Sequence, residues 1–339
     1  MKIPMPMGSP LWIAAGWTMF HFYWVGAAIG LSGLLGRRAL RGARPEARYA
    51  LALTILAAMT VAPAAIFAWV YERSPGSSPI RTTSASKALL PERPMLEHHS
   101  IPLLEAQSPS PAAPRRQWQS PVNALVGFLP WLWLAGSPVT FVLLACALVG
   151  AERFKRQSRM IESGEIPRLC QRLARALSIS RRVAVGVCDQ LAAPVLIGIL
   201  RPVILLPPAA LNGWTIEQLE MVLWHELAHL RRWDNLINLV QRIVESLLFF
   251  HPVVWWISAW ARLEREYCCD LIVVQRTGRP RSYAETLAAL AGAPAPRSQP
   301  FAMALAESQV VDRIRRILGI HEHYMTMKLS RVSVTVTTA

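Results

Sequence analysis

The sequence predicts a mainly α-helical membrane protein, with three transmembrane helices followed by a cytosolic α+β domain that carries a small sheet. Three observations predict it. Of 339 residues, 53% are hydrophobic and only 17% charged, where soluble domains carry about a quarter charged residues. Three apolar runs, 11–35, 50–70 and 122–149, each reach the ~20 helical residues that cross a bilayer. Beyond them the chain is less apolar, and helix-like and strand-like stretches alternate. The expected organisation is a membrane region over 1–150, a domain over 151–320 and a tail over 321–339.

The first run is too long for a signal-peptide core and ends in Arg37 and Arg38, so it reads as an uncleaved anchor. His21 lies within it and is expected to be packed or helix-bonded. "RRALRGARPEAR" (Arg37 to Arg48) holds five arginines and one acid between the first two runs, and "ERFKRQSR" (Glu152 to Arg159) follows the third. The positive-inside rule puts both clusters in the cytosol. The expectation is therefore a multi-pass protein of the cell membrane, with its N-terminus and the loop 71–121 outside. That loop is rich in Pro and Ser and reads as poorly ordered. It contains "SASK" (Ser84 to Lys87), but neither Lys-Thr-Gly nor Ser-Asp-Asn follows, so Ser-x-x-Lys carries no acylation chemistry here.

The net charge of +15 comes from arginines that are dispersed and flank apolar runs. That pattern fits a lipid surface, and no nucleic-acid partner is expected. The five cysteines (Cys146, Cys170, Cys188, Cys268, Cys269) show no CxxC or other ligand spacing and read as reduced thiols facing the cytosol. Adjacent Cys268 and Cys269 read as small packing residues on a helix.

In the cytosolic part, Leu169, Leu173 and Leu177 fall four apart and mark a helix face. "RRVAVGV" (Arg181 to Val187) looks like a strand. "PVLIGILRPVILLPP" (Pro194 to Pro208) is β-rich with interspersed prolines, which confine it to an edge or to two short strands. An exposed edge lets an extended peptide dock by backbone hydrogen bonds. Thr215 with Gln218 forms a capping box that opens a helix. Leu219, Val222, Leu223, Leu227 and Leu230 make its apolar stripe.

That helix carries "WHELAHLRRWDN" (Trp224 to Asn235), so His225 and His229 stand one turn apart on one side. Imidazoles at i and i+4 can both reach one Zn2+ at about 2.0–2.1 Å. Glu226, rotated by about a hundred degrees, is close enough to serve a water on that metal without being a ligand. Zinc brings the water's pKa towards 7, and the carboxylate takes its proton. One such zinc per chain is expected, provided a third ligand exists.

Glu245, His251, Glu264, Glu266 and Asp270 are the downstream candidates. "ARLEREYCCDLIVV" (Ala261 to Val274) reads as a helix on which Glu266 and Asp270 share a face while Glu264 points elsewhere. The choice is Glu266 as ligand, with Asp270 accepting a hydrogen bond from a ligand imidazole. Asp234 is a second candidate for that supporting role, or else a carboxylate beside Arg231 and Arg232 at the helix end. A fourth span over 236–260 would separate Glu266 from His229. Arg242, Glu245 and the break at "HP" (His251-Pro252) argue instead for two helices, Leu236 to Phe250 and Val253 to about Gln275. They are expected to form a hairpin that dips towards or lies on the bilayer and returns.

"HELAHLRRWDNL", "FFHPVVWW" and "EREYCCD" resemble the BlaR/MecR family of membrane zinc metallopeptidases, the antirepressors of β-lactamase induction. Upstream, "FHFYWVGAAI", "ARYALAL", "PWLWLAG" and "APVLIGILRPVILLP" resemble it too, as does "DRIRRILG" near the end. The chain is more distantly similar to CAAX-prenyl and heat-shock membrane proteases. The resemblance implies a gluzincin-like cytosolic domain, zinc on His225, His229 and Glu266, Glu226 as base, and a peptide or protein substrate; in the best-known members activation leads to loss or cleavage of a cytosolic transcriptional repressor. The family's sensors continue into a further span and an external penicillin-binding domain, where this sequence stops at "LSRVSVTVTTA" (Leu329 to Ala339). The expectation is a short member or a truncated gene, with any signal supplied by the outer loop or a sensor partner, and a homo-oligomer is a possible assembly. Two other functions are consistent with the same residues: a quality-control protease of broad specificity, and a non-catalytic membrane signalling scaffold.

Overall fold

The computed structural model describes residues 9–73, 121–292 and 309–319. Most of the loop 71–121, with Ser84 to Lys87, and the tail 321–339 lie outside the described residues. Helices α1 (Pro10–Ala39), α2 (Pro45–Glu72) and α3 (Pro121–Gln157) cover the three expected spans. All three are long and apolar enough to cross a membrane. They carry exposed Leu31, Leu35, Val61, Leu143 and Leu148, a surface suited to lipid.

By packing, the described chain divides into two units: the described parts of 1–22 and 63–132, and those of 23–62 and 133–339. In the first, the Trp12 indole donates to the Gly127 carbonyl (2.9 Å), and His21 stacks on Trp17. His21 is thus packed, as expected.

The second unit adds β1 (Arg159–Met160), α4 (Glu165–Ala176), β2 (Ala184–Val187), β3 (Val195–Ile197), β4 (Val203–Leu206) and α5 (Ala209–Asn212). It continues with α6 (Ile216–Arg231), α7 (Asp234–Leu247), α8 (Pro252–Thr277) and α9 (Pro280–Ala291), then α10 (309–319). The sheet order is β1-β2-β4-β3; β2 and β4 run parallel, and the outer strands are antiparallel to their neighbours. The proline-rich segment is indeed two short strands, and β3 is an edge. Gly198 (φ 94°) closes the β3–β4 turn, where a Cβ would stand 2.5 Å from the Arg201 carbonyl oxygen. Only glycine fits there.

Ile204 and Leu206 point to one face of the sheet, against Leu169, Leu173 and Leu177 of α4 and Leu219, Leu223 and Leu227 of α6. Val203 and Leu205 point to the other, where Phe154 from the end of α3 joins them. Both faces of β4 are therefore covered, and the third span is tied directly to the sheet. The Thr215–Gln218 capping box is present and starts α6.

Between α7 and α8 the chain does turn at His251, whose extended backbone (φ −102°, ψ 113°) precedes Pro252. The hairpin tip docks at mid-length on two of the long helices. His251 lies 3.2 Å from the Tyr23 carbonyl of α1. The Trp133 indole and Thr140 hydroxyl of α3 donate to the Leu247 and Ser246 carbonyls at 2.9 and 3.0 Å. Glycines make room: a Cβ at Gly26, Gly30 or Gly136 would lie within 2.6 Å of His251, Val253 or Phe249. α7 is amphipathic in the inverse sense. Asp234, Gln241 and Glu245 are buried against α8, while Leu236, Val240 and Ile243 face outward.

Candidate metal centre

The apolar stripe of α6 is buried in the core and fixes that helix's rotation, which turns His225 and His229 towards α8. Glu266 meets them there. Its Oε2 is 3.3 Å from His225 Nε2 and its Oε1 is 3.6 Å from His229 Nε2. Ligands held tetrahedrally at 2.0–2.1 Å stand about 3.3 Å apart; the ligand atoms of these three residues all lie within 4.8 Å of one another, close enough to hold one metal ion. Glu226 lines the same cavity of about 540 Å³, together with Val195 and Leu196 of the edge strand β3.

The other candidate carboxylates go elsewhere, Glu264 as expected. Glu264 pairs with Arg48 at 2.8 Å, and Glu245 pairs with Arg242 and Arg262. His251 is at the hairpin tip. Among the described residues, the five downstream candidates reduce to Glu266 and Asp270.

Both rings are held by their Nδ1 atoms. His229 Nδ1 is 2.9 Å from Asp234 Oδ2. Asp234 is only 2% exposed, so it is not a surface carboxylate, and Arg232 lies 3.5 Å from the same oxygen. Trp233, in the left-handed region (φ 59°), makes the bend from α6 into α7 that folds Asp234 back onto His229. His225 Nδ1 is 3.4 Å from Asp270, farther than expected for a direct hydrogen bond. Tyr283 of α9 stands between them, 2.9 Å from His225 Nδ1 and donating to Asp270 Oδ1 at 2.7 Å. With Nδ1 engaged on each ring, each Nε2 is turned towards Glu266.

Arg313 of α10 completes the cluster. It forks onto Asp270 at 2.6 and 2.8 Å and lies 3.3 Å from Glu266 Oε2. Burial pulls His225 down, but the neighbouring Asp270 and Glu266 carboxylates outweigh this and raise it to about 9. Burial pushes Asp270 up, yet the Arg313 guanidinium holds it at about 2. Against the same burial, His229, His225 and Arg313 keep Glu266 well below the usual carboxylate range.

Cys269 approaches His229 Nδ1 (3.3 Å) and Asp234, making a second set of ligand types with them. Burial, then Asp234 and Glu266, push its thiol well above the ordinary value. It therefore stays protonated and donates to Asp234 at 3.6 Å. Of this set only His229 and Asp234 line the cavity and Cys269 does not, whereas His225, His229 and Glu266 all open on it, as a site with a free coordination position must.

The family model described as BlaR1 peptidase M56 matches residues 18–317. Regulatory protein BlaR1 of Bacillus licheniformis is 25% identical over 144 residues, which is 42% of this chain and 24% of that protein. The matched part is thus under a third of the relative's length.

Proposed function

The chain belongs to the BlaR1 peptidase M56 family, and from that premise we propose that it is an integral-membrane zinc endopeptidase. His225, His229 and Glu266 are the ligands, Glu226 is the general base, and Asp270 and Asp234 orient the two imidazoles. The observation that carries the proposal is the convergence of the two Nε2 atoms on the Glu266 carboxylate, at 3.3 and 3.6 Å, in a cavity shared with Glu226 and a strand edge.

A bound zinc supplies a Lewis acid and makes a water acidic enough to react near neutral pH. Glu226 accepts a proton from the attacking water and passes it to the leaving amine; the hydroxyl ends on the acyl carbon as the C–N bond breaks. Tyr283 and Asp270 hold His225, and Asp234 holds His229, so neither ring swings away. Because His225 is raised to about 9, its proton must leave before Nε2 binds a metal. Metal uptake therefore strengthens as pH rises towards that value. An extended peptide adds along β3; the Asn235 amide already caps the carbonyls of Leu196 (3.4 Å) and Gly198 (3.0 Å), which leaves the Pro194–Val195 end beside the cavity for substrate. Tyr283→Phe, which breaks the relay from His225 to Asp270, is expected to weaken zinc binding 10- to 100-fold, as competition with a fluorescent chelator measures.

Several features support a re-entrant hairpin and a cytosolic site. The outward stripe Leu236, Val240 and Ile243 suits lipid, and the tip sits at mid-length on α1 and α3. Arg48, in the first basic cluster, packs on Glu264 two residues from Glu266; Phe154, in the second, packs on the sheet. Both clusters thus lie at the peptidase end.

A regulatory role fits the relative's name, with a cytosolic regulator or repressor as substrate. Mapping products on several proteins separates this from quality control: one cut in one regulator supports it, many cuts in unfolded proteins sink it. The first test is zinc content of the detergent-purified wild type, Glu266→Ala and Glu264→Gln. One zinc per chain, lost only in Glu266→Ala, is expected. No zinc in the wild type after reconstitution would leave the scaffold reading.

A further inference from the structure

Arg313 is more than a counter-ion. Its helix is anchored to the domain core by Val310, Ile314 and Ile317, and its side chain is only 12% exposed, at the wall of the cavity. A guanidinium carries five N–H groups in a rigid fork. Nε–H and one N–H of the NH2 group go to the two oxygens of Asp270 (2.8 and 2.6 Å), which fixes the plane of the fork. The remaining approaches are of another kind. NH2 is 3.4 Å from His225 Nε2 and 3.5 Å from the Tyr283 hydroxyl, and NH1 is 3.3 Å from Glu266 Oε2.

His225 Nε2 and Glu266 Oε2 are the atoms that a metal would claim. Once they are engaged, NH2 keeps only the Tyr283 hydroxyl at 3.5 Å, and the NH1 hydrogens need another acceptor. A buried donor left without one is unfavourable. The scissile carbonyl of a peptide held at this centre brings an oxygen to that place, and that oxygen gains negative charge as water adds to the carbon. Donors aimed beforehand act most strongly on such developing charge.

The geometry points to Arg313 as a catalytic residue that donates hydrogen bonds to the scissile carbonyl oxygen in the transition state, aimed by Asp270. This rests on the peptidase reading above. Asp270 then has two tasks: through Tyr283 it holds His225, and through the fork it aims Arg313. The competing role is a passive clamp that only keeps Glu266 and Asp270 in place.

The test uses full-length wild type, Arg313→Ala and Arg313→Lys in detergent. The readouts are zinc per chain, kcat and KM on a quenched fluorogenic peptide that the wild type cleaves, and affinity for a phosphinic peptide of the same sequence. The expected result is one zinc in all three proteins and kcat lower by roughly a hundredfold in Arg313→Ala. KM should change little, and phosphinic-peptide affinity should fall in step with kcat. Millimolar guanidinium should restore part of kcat to Arg313→Ala and do nothing for the wild type. Arg313→Lys keeps the charge without the fork, so it should stay folded and remain impaired. Zinc lost in parallel with activity would make Arg313 a clamp. An unchanged kcat, or a raised KM alone, would equally overturn the assignment. A wild type without zinc or cleavage would show failure of the peptidase reading itself, before any variant is compared.

Discussion

Glu226→Gln is expected to abolish peptide hydrolysis, with kcat down roughly 10³- to 10⁴-fold, while zinc content stays at the wild-type level. The substitution keeps the shape of the side chain and removes only its ability to take a proton, and general-base catalysis contributes effects of this order. A thousandfold loss corresponds to about 4 kcal/mol of barrier. Glu226 follows His225 on α6 and lines the cavity with it. It is absent from the stripe that packs α6 into the core, so the helix and both imidazoles should stay in place. KM should change little. The check is steady-state kinetics on a fluorogenic peptide, beside metal analysis and thermal unfolding of the same samples. Activity within tenfold of wild type would remove Glu226 from the base role. Loss of zinc together with activity would show a structural part for it instead.

The elements of this site were legible in the sequence to the extent that they were local. The pair His225 and His229 follows from helical period alone, and the capping box marked where α6 starts. Glu266 over Glu264 followed from the face that Glu266 shares with Asp270; the structure sends Glu264 to Arg48. Asp234 had two readings because the deciding feature, the left-handed bend at Trp233, has no signature of its own. Tyr283 and Arg313 were missed because they arrive from helices 58 and 88 residues beyond His225. Each left a weak trace. Tyr283 shares its helical face with Leu287, and a buried tyrosine hydroxyl needs a partner. Arg313 falls between Val310 and Ile317 on an otherwise apolar stripe, where a charge demands a carboxylate. The break at His251-Pro252 announced the hairpin, but not which helices receive its tip. That depends on Gly26, Gly30 and Gly136, whose meaning exists only across the packed interface.

Arg48→Met is expected to destabilise the protein by about 3–5 kcal/mol, and the double variant Arg48→Met/Glu264→Met to recover most of that loss. The Arg48 and Glu264 side chains are 6% and 5% exposed and meet at 2.8 Å. Removing the arginine alone strands a buried carboxylate whose remaining hydrogen bond comes from the Trp260 indole, at 3.1 Å. Removing both charges replaces the pair with apolar atoms of similar volume beside Tyr49, Ala52 and Cys268, a change that is often neutral or favourable in itself. Stability alone therefore gives no reason for the pair, but its position does. It joins the start of α2 to the turn of α8 that also carries Glu266, and so holds a membrane helix and a ligand of the proposed metal centre in one register. The double variant separates these roles. Unfolding should return near the wild-type midpoint, while zinc affinity and kcat should stay impaired if the ion pair sets the height of Glu266. Full recovery of all three would make the contact a packing detail, with no hold on the site.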